Sequence, residues 1–411
     1  MKPRVAFILY RYPLGVSSMI INSIRLFVEK GFMVDIYINE SSLKKAQIEF
    51  DEAHVTLIVY DDSQNIIMRG YQFLLVRAEN VLSLLAKMVP IKFRFVVLFP
   101  DLLLFSQWLR KELRKYSYSY LFPVECRSLL CLSRVKVRGN IVYYNMELLD
   151  WSEKNLLYNY KLELKKLEYR MIKKLSRVVI TSPLRAELFS QINDFDINKI
   201  YVLPVALMGE PIIRRSKYFR EMFGIPEDFK IVVYLGNIEP WFLSIEIIQS
   251  VKDWPKGFAL IMHTWNKSIL EKPYGKEMIN QARGLPVYFS TDYIEYDELA
   301  VALSSADIGL LFYEAIDANF TEILFSSNKF AEYLKAGLAI ICSDFPSLKD
   351  FVEENRIGVS VSVEELSKAM KQIGEKLGVL KKNALVCYQE KFRFEIYFER
   401  FYNQLLQGTI N

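Results

Sequence analysis

The sequence predicts an α/β chain of two doubly wound domains, each a parallel sheet flanked by helices, with a last helix behind them. Three observations lead there. Short, nearly continuous apolar runs recur, as at residues 4–10, 231–235 and 338–342, which is how strands buried on both faces read. Helical stretches alternate with them, opening on residues such as Ser182-Pro183 or closing on Gly31 and Gly337. An irregular stretch, residues 204–216, interrupts the alternation, after which it restarts. The expected layout is a first domain at 1–205, a second at 206–385, and a closing helix from 386 to 411.

A length of 411 residues is ample for two cores, and 52% hydrophobic with 25% charged residues excludes a disordered chain. The longest uncharged stretch, residues 12–24, is too short to cross a bilayer and contains Pro13 and Gly15. The chain opens directly on a strand, and its four cysteines (Cys126, Cys131, Cys342, Cys387) fit neither a disulfide framework nor a zinc spacing. A reducing cytoplasm is the expected setting. With His54 and His263 the only histidines, no zinc cluster can be assembled. Charge is uneven: residues 66–140 hold 13 Lys and Arg against 4 Asp and Glu, within a chain whose net charge is +5. Such a sector points to an anionic partner, a membrane face or nucleic acid. Nucleic acid ranks lower, since no reading motif accompanies the charge.

In the first half, strand 4–10, loop, helix to about residue 30 and strand 33–38 form a βαβ unit. Its loop carries Gly15 and Val16 but lacks the three glycines of a dinucleotide fingerprint. A strand at 55–60 follows. Further on, Leu102, Phe105, Leu109 and Leu113 recur at helical spacing beside Arg110, Lys111, Arg114 and Lys115. Two readings of residues 102–115 stay open: a helix lying on an anionic membrane, or a core helix with a solvated basic end. Strands at 120–124 and 141–144 come next, the second running into Asn145-Met146-Glu147-Leu148. There Glu147 stands as a carboxylate at a strand end or as the first charge of a helix. A long charged helix at 153–175, strands at 177–181 and 200–203, and a helix from Ser182 complete the half. Asp194-Phe195-Asp196 falls in a polar connection and reads as a loop, not a metal motif.

The second half starts with strand 231–235, which ends in Gly236-Asn237. Helix 242–252 and strand 258–262 follow, the strand leading to His263, which reads either as a structural ring or as a phosphate or sugar contact. Strand 286–289 leads to Tyr293 and Ile294, helix 296–304 follows, and strand 307–312 ends at Tyr313. The stretch around which all this is organised is Ser326-Ser327-Asn328-Lys329-Phe330-Ala331-Glu332-Tyr333-Leu334-Lys335-Ala336-Gly337. Ser327 is a good N-cap and Gly337 a good stop. Lys329 lies in the first turn, where unpaired N–H groups favour an anion, and Glu332 one turn on suits hydroxyls. A capped surface helix with a solvated Glu is the bland alternative. Strand 358–361, helix 363–377 and a helix at 381–407 finish the chain.

Ser-x-Asn-Lys-x-x-Glu-Tyr-x-x-Ala-Gly, followed by a strand and Ser-Asp, resembles the donor-site segment of GT-B glycosyltransferases, chiefly the retaining family 4. The resemblance implies two Rossmann-like domains facing a central cleft, with the last helix crossing back to the first domain. It implies that Ser327, Asn328 and Lys329 hold a nucleotide diphosphate and that Glu332 binds the ribose. Gly236 and Asn237 then approach the phosphates, Tyr293 and Ile294 cradle the base, and His263 and Tyr313 lie near the donor. On the acceptor side, Gly15 and Val16 match the first loop, and residues 142–148 resemble a motif often read Tyr-Asp-x-His-Glu-Leu. Glu147 is kept there as the catalytic carboxylate, while Met146 replaces the His. Two further departures are Leu324 where many members carry a Glu, and 237–243, which lacks the usual Arg and Lys. The implied activity is sugar transfer from a nucleotide-sugar donor to a lipid-linked or surface-polysaccharide acceptor, with retention, without metal or other cofactor, at the inner membrane face. Two alternatives use the same fold: a sugar-nucleotide 2-epimerase, and a catalytically silent protein that binds nucleotide or partner.

Overall fold

The computed structural model describes residues 2–43, 48, 50–62, 100–135, 139–151 and 160–407. It forms two compact units, Met1–Leu203 with Phe401–Asn411, and Pro204–Arg400. Each is built on a wholly parallel sheet, so both halves have the Rossmann-like architecture.

In unit 1 the strands are β1 (Arg4–Leu9), β2 (Met33–Asn39), β3 (Val55–Tyr60), β4 (Tyr120–Pro123), β5 (Asn140–Asn145), β6 (Arg177–Ile180) and β7 (Ile200–Val202). They lie in the order β3-β2-β1-β4-β5-β6-β7. The order reverses between β1 and β4, and ligands of open α/β sheets bind beyond the carboxyl ends of the strands flanking such a switch. Helices that bear on the argument are α1 (Ser18–Glu29), α2 (Pro100–Glu112), α3 (Glu125–Cys131), α4 (Tyr160–Ile172) and α5 (Pro183–Asn193).

Unit 2 repeats the plan with β8 (Lys230–Leu235), β9 (Phe258–His263), β10 (Val287–Ser290), β11 (Ile308–Leu311), β12 (Ala339–Cys342) and β13 (Gly358–Ser360). Their order is β10-β9-β8-β11-β12-β13, with the switch between β8 and β11. Successive side chains of a strand point to opposite faces. Accordingly Ile231, Val233 and Leu235 of β8 join one apolar layer, and Val232 and Tyr234 join the other. Helix α6 (Asn328–Lys335) covers the first layer through Phe330, Ala331 and Leu334, all fully buried. Tyr333, also fully buried, ties α6 to the sheet: its hydroxyl accepts from Leu235 N at 2.9 Å and donates toward Leu310 O at 3.2 Å. Gly309 makes that possible, because a Cβ there would come within 2.5 Å of the Tyr333 ring. Two helices the sequence reading did not anticipate, Pro273–Gln281 and Pro346–Glu354, both open on proline, whose missing N–H costs nothing at that position.

Two expectations change. The final helix is broken into α7 (Leu377–Lys391) and α8 (Phe394–Gln407). Between them the backbone pairs with Leu207: Leu207 N donates to Phe392 O at 3.2 Å and Phe394 N to Leu207 O at 2.9 Å. Those bonds replace helical ones, and Phe392 stacks on Phe325 at 4.9 Å. Unit 2 keeps the chain as far as Arg400; only from Phe401 does α8 group with unit 1, where Phe401 packs on Tyr144 and Tyr201.

The second change concerns residues 102–115. Leu102, Phe105, Leu109 and Leu113 are buried against β1, β4 and α3 residues, so this apolar stripe is committed to the core. Arg110, Lys111, Arg114 and Lys115 remain exposed. The rest of the basic sector, residues 66–99 and 136–138, and the start of the helix expected at 153–175 lie outside the described residues. No helix among the described residues is long and apolar enough to cross a membrane.

Candidate donor and acceptor sites

At the switch point of unit 2, β8 ends in Gly236 and β11 runs out to Tyr313, and the first turn of α6 meets them. Ser327 caps that helix as the sequence indicates, its Oγ accepting from Phe330 N at 3.3 Å. The same oxygen lies 3.3 Å from the hydroxyl of Tyr313, which links the helix start to the end of β11. Gly236 sits at φ +120°, and a Cβ there would approach Lys329 Cε to 3.0 Å. Glycine therefore lets the lysine side chain run close along the strand end.

The ammonium of Lys329 is enclosed by three rings, 4.4 Å from the centre of Phe242, 4.7 Å from Tyr234 and 5.0 Å from Tyr313. Aromatic faces stabilise a cation but neutralise nothing. Its one recorded hydrogen bond is a long one to Tyr234 Oη at 3.4 Å, and among the described residues no carboxylate is paired with it. Burial alone pulls this lysine down to about 7. A cation held this way, beside the positive end of a helix, is a seat for an anion.

Glu332 follows Lys329 by three residues, so their Cβ atoms are roughly 5–6 Å apart along the helix. It is 3% exposed, which rules out the solvated alternative. Burial raises its carboxyl to about 8, Lys335 opposing and Asp297 adding to the rise. A buried carboxyl group with no hydrogen bond to its side chain among the described residues is suited to accept from ligand hydroxyls. Asn328 is half-buried at the head of the same helix, and Asn237 is exposed, its carbonyl accepting from Tyr234 Oη at 2.7 Å.

His263 does not join this group. Its carbonyl receives Gly236 N at 2.9 Å, but the ring is 2% exposed, bonded to Ser290 Oγ at 2.9 Å and packed on Phe219. Burial lowers it to about 4, so the ring is neutral near pH 7. Tyr293 is exposed in the loop after β10, with Ile294 half-buried beside it. Leu324 is packed against the core, and nearby Glu322 accepts from Ser347 Oγ at 2.9 Å.

In unit 1, Gly15 and Val16 form an exposed 3-10 turn after β1. Glu147 does not start a helix: residues 146–151 form an irregular turn after β5, and α4 is described only from Tyr160. Its side chain is exposed, while Met146 is buried with Sδ 3.5 Å from Ser17 Oγ. Asp194 and Asp196 are caps, the first at φ 46° after α5 and paired with Lys173, the second accepting from Asn198 N. No group of three or more His, Cys, Asp and Glu among the described residues could hold a metal ion. Tyr234 and Phe242, the two other walls of the lysine box, escaped sequence reading because an aromatic residue in a strand or turn looks like core.

No family model and no curated protein matches the sequence. Solved structures do. Sucrose-phosphate synthase from Thermosynechococcus elongatus superposes with a TM-score of 0.70 at 16% identity, covering 99% of this chain and 100% of that one. The chain has the GT-B fold. HepE from Anabaena, solved with UDP-glucose, gives a TM-score of 0.68 at 12% identity over 98% of this chain and 99% of its own. WaaG, a glycosyltransferase of lipopolysaccharide biosynthesis, gives 0.63 at 13% identity over 96% and 98%. At these identities GT-B likeness establishes architecture, and the chemistry must be argued from the residues.

Proposed function

We propose that this GT-B chain is a glycosyltransferase that takes its sugar from a nucleotide-sugar donor. The observation that carries the proposal is the Lys329 ammonium at the unit 2 switch point, boxed by rings and, among the described residues, paired with no carboxylate. A donor diphosphate supplies the missing anion. Glu332 supplies the acceptor for ribose hydroxyls, and Tyr293 and Ile294 line the loop where the base would lie. UDP-sugars are the first donors to test, since HepE was solved with UDP-glucose. On the acceptor side we assign Glu147 to orient a hydroxyl or stabilise the positive charge that develops on the sugar. Retention, a lipid-linked or polysaccharide acceptor and independence from metal complete the reading. Metal independence is supported by an Asp-x-Asp pair that serves as caps.

A thermal-shift screen with UDP-, GDP-, ADP- and dTDP-sugars tests the proposal, since a ligand at 100 times its Kd should stabilise the fold by about 2.7 kcal/mol. The expected result is a clear shift with at least one class, followed by release of its nucleoside diphosphate, unchanged by excess EDTA. Stabilisation without diphosphate release would favour the silent binder, which the absence of any basic residue in 237–243 makes the second reading. Release of an epimerised sugar would instead favour the epimerase.

Membrane contact, where it occurs, falls to charge alone. Arg110, Lys111, Arg114 and Lys115 would attract anionic headgroups without insertion. Co-sedimentation with anionic vesicles should then vanish at high salt and in a variant with all four replaced by Gln. Binding that survives both changes would remove these residues from the proposal.

A further inference from the structure

Two non-glycine residues of unit 1 have left-handed backbone angles on either side of its switch point. Arg11, two residues beyond β1, has φ 56°, and Glu125, two residues beyond β4, has φ 65°. Residues with side chains adopt this region at a cost, and the surroundings must hold them there. For Glu125 the holding contacts come from the turn after β5. One carboxylate oxygen, Oε1, accepts from Met146 N at 2.9 Å and from Glu147 N at 3.2 Å. The strained backbone thus aims the carboxylate across to the end of β5.

The same turn is gripped from two more elements. Arg185 of α5, 2% exposed, donates to Met146 O at 2.6 Å. Asn145 Nδ2 donates to Glu147 O at 3.1 Å and to Tyr143 Oη at 2.9 Å. Tyr143 Oη donates to Glu168 of α4 at 2.7 Å, and Glu168 is paired with the fully buried Lys165 at 3.0 Å. Both peptide groups around Met146 and Glu147 are therefore held in place while the Glu147 side chain stays exposed. The turn anchors Met146 and Leu148 in the core and leaves the Glu147 carboxylate between them exposed. Burial first, and Glu147 after it, raise the Glu125 carboxyl.

We infer that Glu125 is a positioning residue for Glu147: it holds the Met146 and Glu147 amides so that the Glu147 carboxylate is fixed where the acceptor hydroxyl must sit. This rests on the glycosyl-transfer reading above. The step read out is donor hydrolysis with water as acceptor. The bond from the anomeric carbon to the diphosphate breaks, a bond from that carbon to water oxygen forms, and the water proton passes by way of Glu147 to solvent.

The test measures diphosphate release from the UDP-, GDP-, ADP- and dTDP-sugars, with donor Kd by calorimetry and Tm, for the parent and four variants. Glu125→Ala removes the acceptor of both amides and should lower kcat by about 100-fold, as a misplaced reacting group does, with donor Kd unchanged. Glu125→Gln keeps a carbonyl oxygen in the place of Oε1 and should recover most of that loss, which a merely charged or catalytic role would not allow. The double variant Glu125→Ala with Glu147→Gln should be no slower than Glu147→Gln alone, because one residue acts through the other. Parental kcat in Glu125→Ala, no recovery in Glu125→Gln, or multiplying losses in the double variant would each overturn the inference. Should Glu125→Ala not fold, Glu125→Gln still decides, since an inactive but folded variant overturns it. A parent that releases no diphosphate, or a Glu147→Gln variant with parental kcat, would instead bring down the reading beneath it.

Discussion

Replacing Lys329 by Ala should weaken donor binding by about 1.5–3 kcal/mol, roughly 10- to 150-fold, the worth of a charge-assisted hydrogen bond in a sheltered site. The loop after β8 has no Arg or Lys to share the diphosphate charge, so little compensation is available. Binding should also depend on pH in a particular direction. Free Lys329 titrates near 7, and a bound diphosphate favours its charged form. In the Glu332→Gln background, which removes the other site group titrating in this range, donor Kd should therefore rise as pH is raised from 6 to 8.5, by at most about tenfold per unit. The phosphates of a nucleotide sugar stay ionised over this range, so they contribute no slope of their own. Calorimetry at four pH values checks both statements. A Glu332→Gln variant with constant Kd, or a Lys329→Ala variant that binds as tightly as the parent, would show that the boxed ammonium is not the diphosphate seat.

Glu332→Gln should make the protein more stable and a poorer binder at once. The folded-state pKa of Glu332 is raised, to about 8, above its ordinary value. The stability linked to it is present below the unfolded value near 4.5 and is lost as pH rises through about 8. Lys329 runs the other way: its folded value is depressed, so its contribution is present above 10.5 and lost as pH falls through about 7. The empty protein should have a shallow stability minimum at pH 7–8. Glu332→Gln removes the first limb, and its Tm should exceed the parent's at pH 8 while matching it at pH 5. Its donor Kd should rise by about tenfold or more, because an amide oxygen is a weaker acceptor for ribose hydroxyls than a carboxylate. A Tm advantage without loss of binding would mean that Glu332 is buried for reasons unrelated to the donor. This opposition between stability and function is what a site built from unneutralised groups entails.

Much of the architecture was determined by the sequence itself. A strand buried on both faces must be apolar throughout, and a connection between parallel strands must cross over, usually through a helix, so the strands of the described residues and their parallel pairing follow from local pattern. The Ser327 cap and the Gly337 stop are chain-local as well, since a cap bonds within three residues. What only the tertiary structure decided are properties of partners distant in sequence. Whether residues 102–113 meet lipid or core depended on which surface faced them, and periodicity is the same in both cases. The continuous helix expected at 381–407 breaks because Leu207, almost two hundred residues away, competes for its backbone bonds. The charge state of Lys329 is set by Tyr234, Phe242 and Tyr313, which reach it from β8, the turn beyond it and the end of β11. Glu125 shows the same limit most plainly. It is an ordinary residue after an apolar run until the strand order places β4 beside β1 and β5, because desolvation and hydrogen bonding depend on neighbours in space, not on position along the chain.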